Sequence, residues 1–175
     1  MTASATTERT TTVASEPSLA AALREGGYVI YFRHAATDPV PDDADPVVLS
    51  NCGTQRNLSA TGRRQSERIG RAIGMAGIPI GRVLASPFCR ALDTARLAFG
   101  RARIAQVLEN LETAPDEGER ERRVAGLRRL LSTAPQPGTN TVLVAHGFNI
   151  SAAADVSLSE GEAGGFEPRF AGRSR

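Results

Sequence analysis

Tyr28-Val29-Ile30-Tyr31-Phe32-Arg33-His34 and Thr141-Val142-Leu143-Val144-Ala145-His146-Gly147 decide how this chain is read. Each is an apolar run, rich in β-branched or aromatic residues, that ends abruptly in a histidine. The chain has two histidines, and these are both of them. Short runs of this composition predict buried strands. Ligands of open α/β sheets sit outside the carboxyl ends of the strands. The pattern therefore predicts both imidazoles at a ligand site.

Between and around these runs the chain alternates. Residues 18–25 predict a short helix stopped by Gly26 and Gly27. Residues 35–57 form a long polar loop that starts beside His34, and loops of that length are functional or mobile. Ser59 is a candidate N-cap for a helix whose seam is Gln65, Ile69, Ala72 and Ile73. A second strand over 82–85 leads into Ser86-Pro87, where proline suits the first helical position, and a helix that ends near Gly100. A third strand is expected over about 102–107, a loop over 108–119 and a helix over about 120–131. That helix has Val124, Leu127, Leu130 and Leu131 on one face. The second histidine strand follows, then a helix over 148–156. Residues 161–170 read as an edge strand or tail. Strands alternating with helices predict an α/β fold, a single three-layer αβα domain with a mostly parallel central sheet. Residues 1–17, rich in Thr, Ser and Ala, are expected to be a disordered N-terminal tail before a domain over 18–175.

Composition narrows the function classes. The 175 residues suit one domain with a proper core. No apolar run approaches the roughly 20 residues of a membrane span. Residues 1–16 lack a basic region followed by an apolar one, so no secretory signal is expected and the location expected is cytoplasmic. All 21 basic residues are arginine, against 19 acidic ones. The bulk of them read as a coding preference, and those near the histidines read as anion ligands. Acidic residues are interspersed and aromatics make up only 5%, so a nucleic-acid partner is not expected. The Arg120, Arg122, Arg123, Arg128 and Arg129 group alternates with glutamates and reads as a solvated helix face. Cys52 and Cys89 fall short of a disulfide scaffold or a four-ligand zinc site. They are expected near the pocket as free thiols, with pairing under oxidising conditions as the alternative.

The strand ends carry the chemistry. The first presents Arg33 and His34, the second leads to Ser86 and Arg90, and the last presents His146 with Gly147. Two arginines and two histidines at neighbouring strand ends make a pocket for a dianion, and phosphate is the natural ligand. Helix N-termini after Ser86 and His146 would add positive dipole ends. A neutral imidazole can attack phosphorus and split a hard transfer into two easier ones. Arginines stabilise the charge on the equatorial oxygens. No metal or cofactor is required by this logic. Gln55-Arg56-Asn57 either lines the pocket or forms a turn into the next helix.

These motifs resemble the histidine phosphatase superfamily, which includes the cofactor-dependent phosphoglycerate mutases and the phosphohistidine phosphatases. The resemblance lies in Arg33-His34-Ala35, Leu58-Ser59 with Gly62, Ser86-Pro87-Phe88-Cys89-Arg90 with Thr94-Ala95, and His146-Gly147. It spans residues 27–162. It implies a phosphoglycerate mutase-like fold, with His34 as the phosphorylated nucleophile and Arg33, Arg90 and His146 holding the phosphoryl group. Ser86 and Thr94 would shape the helix start. The family usually has glycine where Ala35 stands. Its Leu-x-Glu proton donor is not matched in 108–113, and Glu112 is the first candidate, followed by Glu109 and Asp116, with Asp38 further off. The activity implied is that of a metal-independent phosphohydrolase on a small phosphorylated substrate or a phosphoprotein. A non-catalytic phospho-ligand module is the alternative, and a phosphomutase a weaker one, because the region after Leu108 is too short for a capping insertion.

Overall fold

A computed structural model describes residues 18–168. The expected N-terminal tail, residues 1–17, lies outside the described residues, as do positions 169–175 of the expected domain. Ten regular elements follow one another: α1 (Leu19–Glu25), β1 (Val29–Arg33), α2 (Ala60–Met75), β2 (Ile80–Ala85), α3 (Cys89–Phe99), β3 (Arg103–Ile104), α4 (Glu117–Leu131), β4 (Asn140–Ala145), α5 (Gly147–Ala154) and β5 (Ala163–Phe166). The strands form one sheet in the order β3-β2-β4-β1-β5. All pairs are parallel except β5, which runs antiparallel along the β1 edge. The expected α/β fold with a mostly parallel sheet is borne out, and the segment near the C-terminus resolves as an edge strand.

Side-chain alternation along the strands builds two apolar layers. Ile30 and Phe32 of β1 join Val83, Ala85, Val142 and Val144 on one face, against Leu23 of α1, Ile69 of α2 and Ala91, Leu92 and Ala95 of α3. Val29 and Tyr31 join Leu84, Leu143 and Ala145 on the other, against Leu127 and Leu131 of α4 and Ile150 of α5. Each fully buried Val, Leu or Ile contributes about 1.5–3 kcal/mol by leaving water. Both faces are covered, so β1 and β4 read as unbroken apolar runs rather than alternating ones.

Several elements depart from expectation for local reasons. The third strand shrinks to two residues because only Arg103 and Ile104 pair with β2, and Gln106–Leu108 coils into a 3-10 turn. α3 starts at Cys89 with Phe88 as its N-cap, so Pro87 precedes the helix. Pro87 and Phe88 form a bend before it, and Ser86 faces the neighbouring strand end. α4 starts at Glu117 rather than near Arg120, because the Asp116 carboxylate accepts from the Glu119 N–H at 2.8 Å. The expected solvated arginine face of this helix is corrected at Arg123. That side chain is buried, donates to Glu119 and to the Asn110 carbonyl, and forms an ion pair with Glu109 at 3.0 Å. Among the described residues, no helix is long and apolar enough to cross a membrane.

Candidate active site

The parallel register sets the two histidines side by side. β1 and β4 pair with Arg33 opposite Ala145, so the next residue of each strand, His34 and His146, emerges at the same sheet edge. Their ring centroids are 5.5 Å apart, with planes inclined by 65°. On the other side of β4, β2 places Ala85 opposite Val144, which brings Ser86 to the same edge. Ser86 Oγ lies 2.8 Å from His146 Nε2. The role expected for Ser86, shaping the start of the next helix, is thus only part of what it does. Its hydroxyl holds an imidazole on a neighbouring strand. Thr94 likewise reaches across, accepting from the Ala35 N–H at 3.0 Å while donating to the Arg90 carbonyl at 2.7 Å.

Hydrogen bonding fixes both rings. His34 Nδ1 lies 2.9 Å from the Ala35 carbonyl oxygen. A carbonyl can only accept, so we assign the proton to Nδ1, which leaves the Nε2 lone pair for chemistry. Burial holds the His34 pKa down, to about 4, and the Arg90 charge acts the same way against the Ala35 carbonyl. His146 is pushed well below the ordinary histidine value, by burial first and then by His34, Arg90, Arg33 and Arg56. Both imidazoles are neutral at pH 7. Ser86 Oγ already accepts from the Phe88 N–H, so its O–H is free to donate to His146 Nε2. The His146 carbonyl in turn accepts from the buried Tyr31 hydroxyl at 2.8 Å. Burial raises the Tyr31 pKa, which keeps that hydroxyl a donor.

Arginines surround the pair. Arg33 Nη1 donates to the Leu158 carbonyl at 3.0 Å, and its Nη2 is 3.8 Å from Glu160. The Arg33 guanidinium lies against the start of α5, where a Cβ on Gly147 would make ordinary van der Waals contact with it at 3.4–3.5 Å. Arg90 is 2% exposed, stacks on Phe88 with 4.5 Å between guanidinium carbon and ring centroid, and meets Asp43 with both terminal nitrogens. Phe88 also presents its ring to His146, at 5.1 Å.

A cavity of about 520 Å³ opens over these groups. Its walls bring together Arg33, His34, Arg90 and His146, as the motifs predict, and include Glu112. The other acid candidates lie elsewhere. Glu109 is paired with Arg123 at 3.0 Å, Asp116 caps α4, and Asp38 does not line the cavity. Glu112 is delivered by Asn149 of α5, whose side chain accepts from the Leu111 N–H and donates to the Glu109 carbonyl. Asn110, in the same segment, also lines the wall.

Two participants carry no signal in the sequence. Asp43 comes from the middle of the long loop. Glu160, beyond α5, accepts from the Thr37 N–H and hydroxyl at 3.1 and 2.7 Å. Burial acts to raise the Glu160 pKa, but those hydrogen bonds and the Arg33 charge leave it below the usual carboxylate value. Arg56 was one of two readings for its segment, and the structure places it on the cavity wall. The expectation of free thiols is corrected. Cys52 and Cys89 form a disulfide, with Cα atoms 5.7 Å apart. Gln55 Oε1 accepts from the Cys89 N–H at 2.9 Å, and that bond returns the loop to the start of α3, where the sulfurs meet. Among the described residues, no group of three or more His, Cys, Asp or Glu side chains is arranged to hold a metal ion.

Comparison with known proteins bears out the resemblance drawn from the motifs. The family model of the histidine phosphatase superfamily (branch 1) matches residues 29–112, which include Arg33, His34, Ser86 and Arg90 and end at Glu112. No curated protein sequence is a significant match. The fold is similar to that of a putative α-ribazole-5'-P phosphatase from Escherichia coli, at 16% identity, covering 80% of this chain and 89% of that one, with a TM-score of 0.57. It is similar to the mycobacterial glucosyl-3-phosphoglycerate phosphatase in complex with VO3, at 17% identity and coverages of 79% and 91%, with a TM-score of 0.54. It is also similar to a phosphoserine phosphatase variant from Entamoeba histolytica in complex with phosphoserine, at 15% identity and coverages of 82% and 91%, with a TM-score of 0.52. The architecture is therefore that of the histidine phosphatase fold.

Proposed function

We propose that the chain is a phosphomonoester hydrolase that works through a phosphohistidine on His34. One observation carries the reading. His34 Nδ1 is committed to the Ala35 carbonyl, which leaves a neutral Nε2 in a cavity lined by Arg33, Arg90 and His146. In the first step Nε2 attacks phosphorus, the N–P bond forms, and the bond to the leaving oxygen breaks. That oxygen takes a proton from an acid, for which Glu112 is the candidate. In the second step water attacks phosphorus, the N–P bond breaks, and the water's proton passes to the carboxylate. Inorganic phosphate and a neutral His34 result. Arginine forks supply the charge that stabilises the transferred group in both steps. His146, oriented by Ser86, offers a further donor to the phosphoryl oxygens.

The substrate class is a phosphorylated small molecule or phosphoprotein side chain. A phosphomutase is disfavoured because the stretch between β3 and α4, residues 105–116, carries only two 3-10 turns and no capping insertion. The non-catalytic binding module has one observation in its favour: Asp43 already engages both terminal nitrogens of Arg90. Hydrolysis of an aryl phosphate by purified protein decides between them. Turnover is expected, and is abolished in His34→Ala. Phosphate binding with no turnover above that control would leave the binding module as the reading.

A further inference from the structure

Among the described residues, three buried side-chain nitrogen or oxygen atoms have no hydrogen-bond partner: Nε of Arg33, of Arg56 and of Arg90. All three residues line the same cavity. Leaving a buried donor unpaired is costly, and folded proteins rarely keep such groups without a partner. Three arginines lining one cavity suit a ligand with several anionic oxygens.

Arg56 differs from the other two in how it is held. Its backbone N–H donates to Asp43 Oδ1 at 2.8 Å, and its carbonyl accepts from Arg90 Nη1 at 3.2 Å. Gln55 before it is 1% exposed and donates to the Val48 and Leu49 carbonyls. Asn57 after it donates to the carbonyls of Cys52 and Gln55. The position is thus fixed by backbone and neighbours. Among the described residues, the Arg56 side chain makes no hydrogen bond, and its one charged contact is Glu160 at 4.0 Å. Both members of that pair are more than a quarter exposed, so it stabilises the fold little. A guanidinium held on a cavity wall that contributes little to folding is placed for a ligand.

We propose that Arg56 is a third phosphoryl-binding arginine, supplied by the long loop between β1 and α2. The inference rests on the phosphomonoester reading above and adds a ligand to that site. Direct contact between the Arg56 fork and phosphoryl oxygens would let the loop sense whether the pocket is filled. Loop and α3 then act as one clamp, because the Arg56 carbonyl, Asp43 and the Cys52–Cys89 bond all join them.

The test is equilibrium binding of inorganic phosphate, read by calorimetry, to the parent chain, Arg56→Gln and Arg56→Lys. Weakening of about tenfold is expected for Arg56→Gln, with the ligand-free melting temperature unchanged. Lysine restores only part, since an ammonium cannot reproduce the planar fork. Weakening of less than about fivefold, or a parent that binds no phosphate, overturns the inference. If Arg56→Gln does not fold, the same threshold is applied to Arg56→Lys. Arg56-dependent phosphate binding without any phosphomonoester turnover would overturn the proposed function and leave this inference standing. Turnover with phosphate affinity indifferent to Arg56 would do the reverse.

Discussion

Asp43 grips Arg90 along both edges of its guanidinium, with Oδ1 accepting from Nη1 at 2.8 Å and Oδ2 from Nη2 at 3.0 Å. The arginine is 2% exposed and the carboxylate about a fifth. Removing one partner of such a pair leaves a buried charge uncompensated, which costs about 3–5 kcal/mol when both are fully buried. Because Asp43 is partly solvated, Asp43→Ala is expected to destabilise by about 2–3 kcal/mol. That lowers the melting temperature by roughly 4–12 °C for a domain of this size. Saturating phosphate should recover more of the loss in the variant than it adds to the parent, because an anion then faces Arg90. Thermal denaturation with and without phosphate checks this, and equal melting points for variant and parent would contradict it.

Ser86→Ala removes the hydroxyl that orients His146. The imidazole keeps its place through backbone and packing but loses the bond that sets which nitrogen carries the proton. Loss of that bond is expected to cost about 1–2 kcal/mol of transition-state stabilisation, a fall of roughly 5–30-fold in kcat/KM on an aryl phosphate. Phosphate affinity should move less than the rate. A rate within twofold of the parent would show that the Ser86 bond does not matter to the reaction.

Glu112→Gln separates leaving groups. An aryl oxygen leaves as a stable anion and needs little protonation, whereas an alkoxide needs it badly. Kinetics on paired aryl and alkyl phosphates are expected to show a loss of about 10–100-fold confined to the alkyl substrate. An equal loss on both would remove Glu112 from the proton-donor role.

Both histidines are held neutral, His34 down to about 4 and His146 well below the ordinary value. An unfolded chain protonates its histidines near pH 6.5. Between that value and the lower folded values the unfolded state binds more protons, so stability falls as pH falls through this window. Above about pH 7 these two groups contribute no slope. Denaturant titrations from pH 7 to 4 are expected to show this decline, and His34→Ala should flatten part of it. A pH profile identical in parent and variant would contradict the assignment of His34 as a neutral buried imidazole.

The Cys52–Cys89 bond closes a span of 37 residues. The loop-entropy model assigns such a closure about 4 kcal/mol. Reduction, or Cys52→Ser with Cys89→Ser, should lower the melting temperature and also weaken phosphate binding, since Arg56 and Asp43 lie on the tethered loop. A chain kept reduced, as in a cytoplasm that maintains thiols, would then work below its oxidised affinity. Unchanged phosphate affinity on reduction would show that hydrogen bonds alone hold the loop.

What the sequence determined by itself was local. The apolar runs before His34 and His146 specify β1 and β4, because burial on both faces demands unbroken hydrophobic strands. Ser59 and the glycine after Phe99 mark helix ends through their own backbone needs. Arg33, His34, Arg90 and His146 could be read because Arg33 closes β1, His34 and His146 follow β1 and β4 directly, and Arg90 lies in the first turn of the helix after β2. The tertiary structure decided whatever depends on chain returning from a distance. Asp43, Arg56 and Glu160 sit in irregular segments with no periodicity to betray them, and reach the site only through the loop's hydrogen bonds. Glu112 is distinguished from Glu109 only because Arg123, more than one helical turn into α4, takes Glu109 for itself. The Ser86–His146 bond spans 60 positions. Such a contact exists because β2 and β4 are neighbours in the sheet, and strand order is a property of how the layers pack.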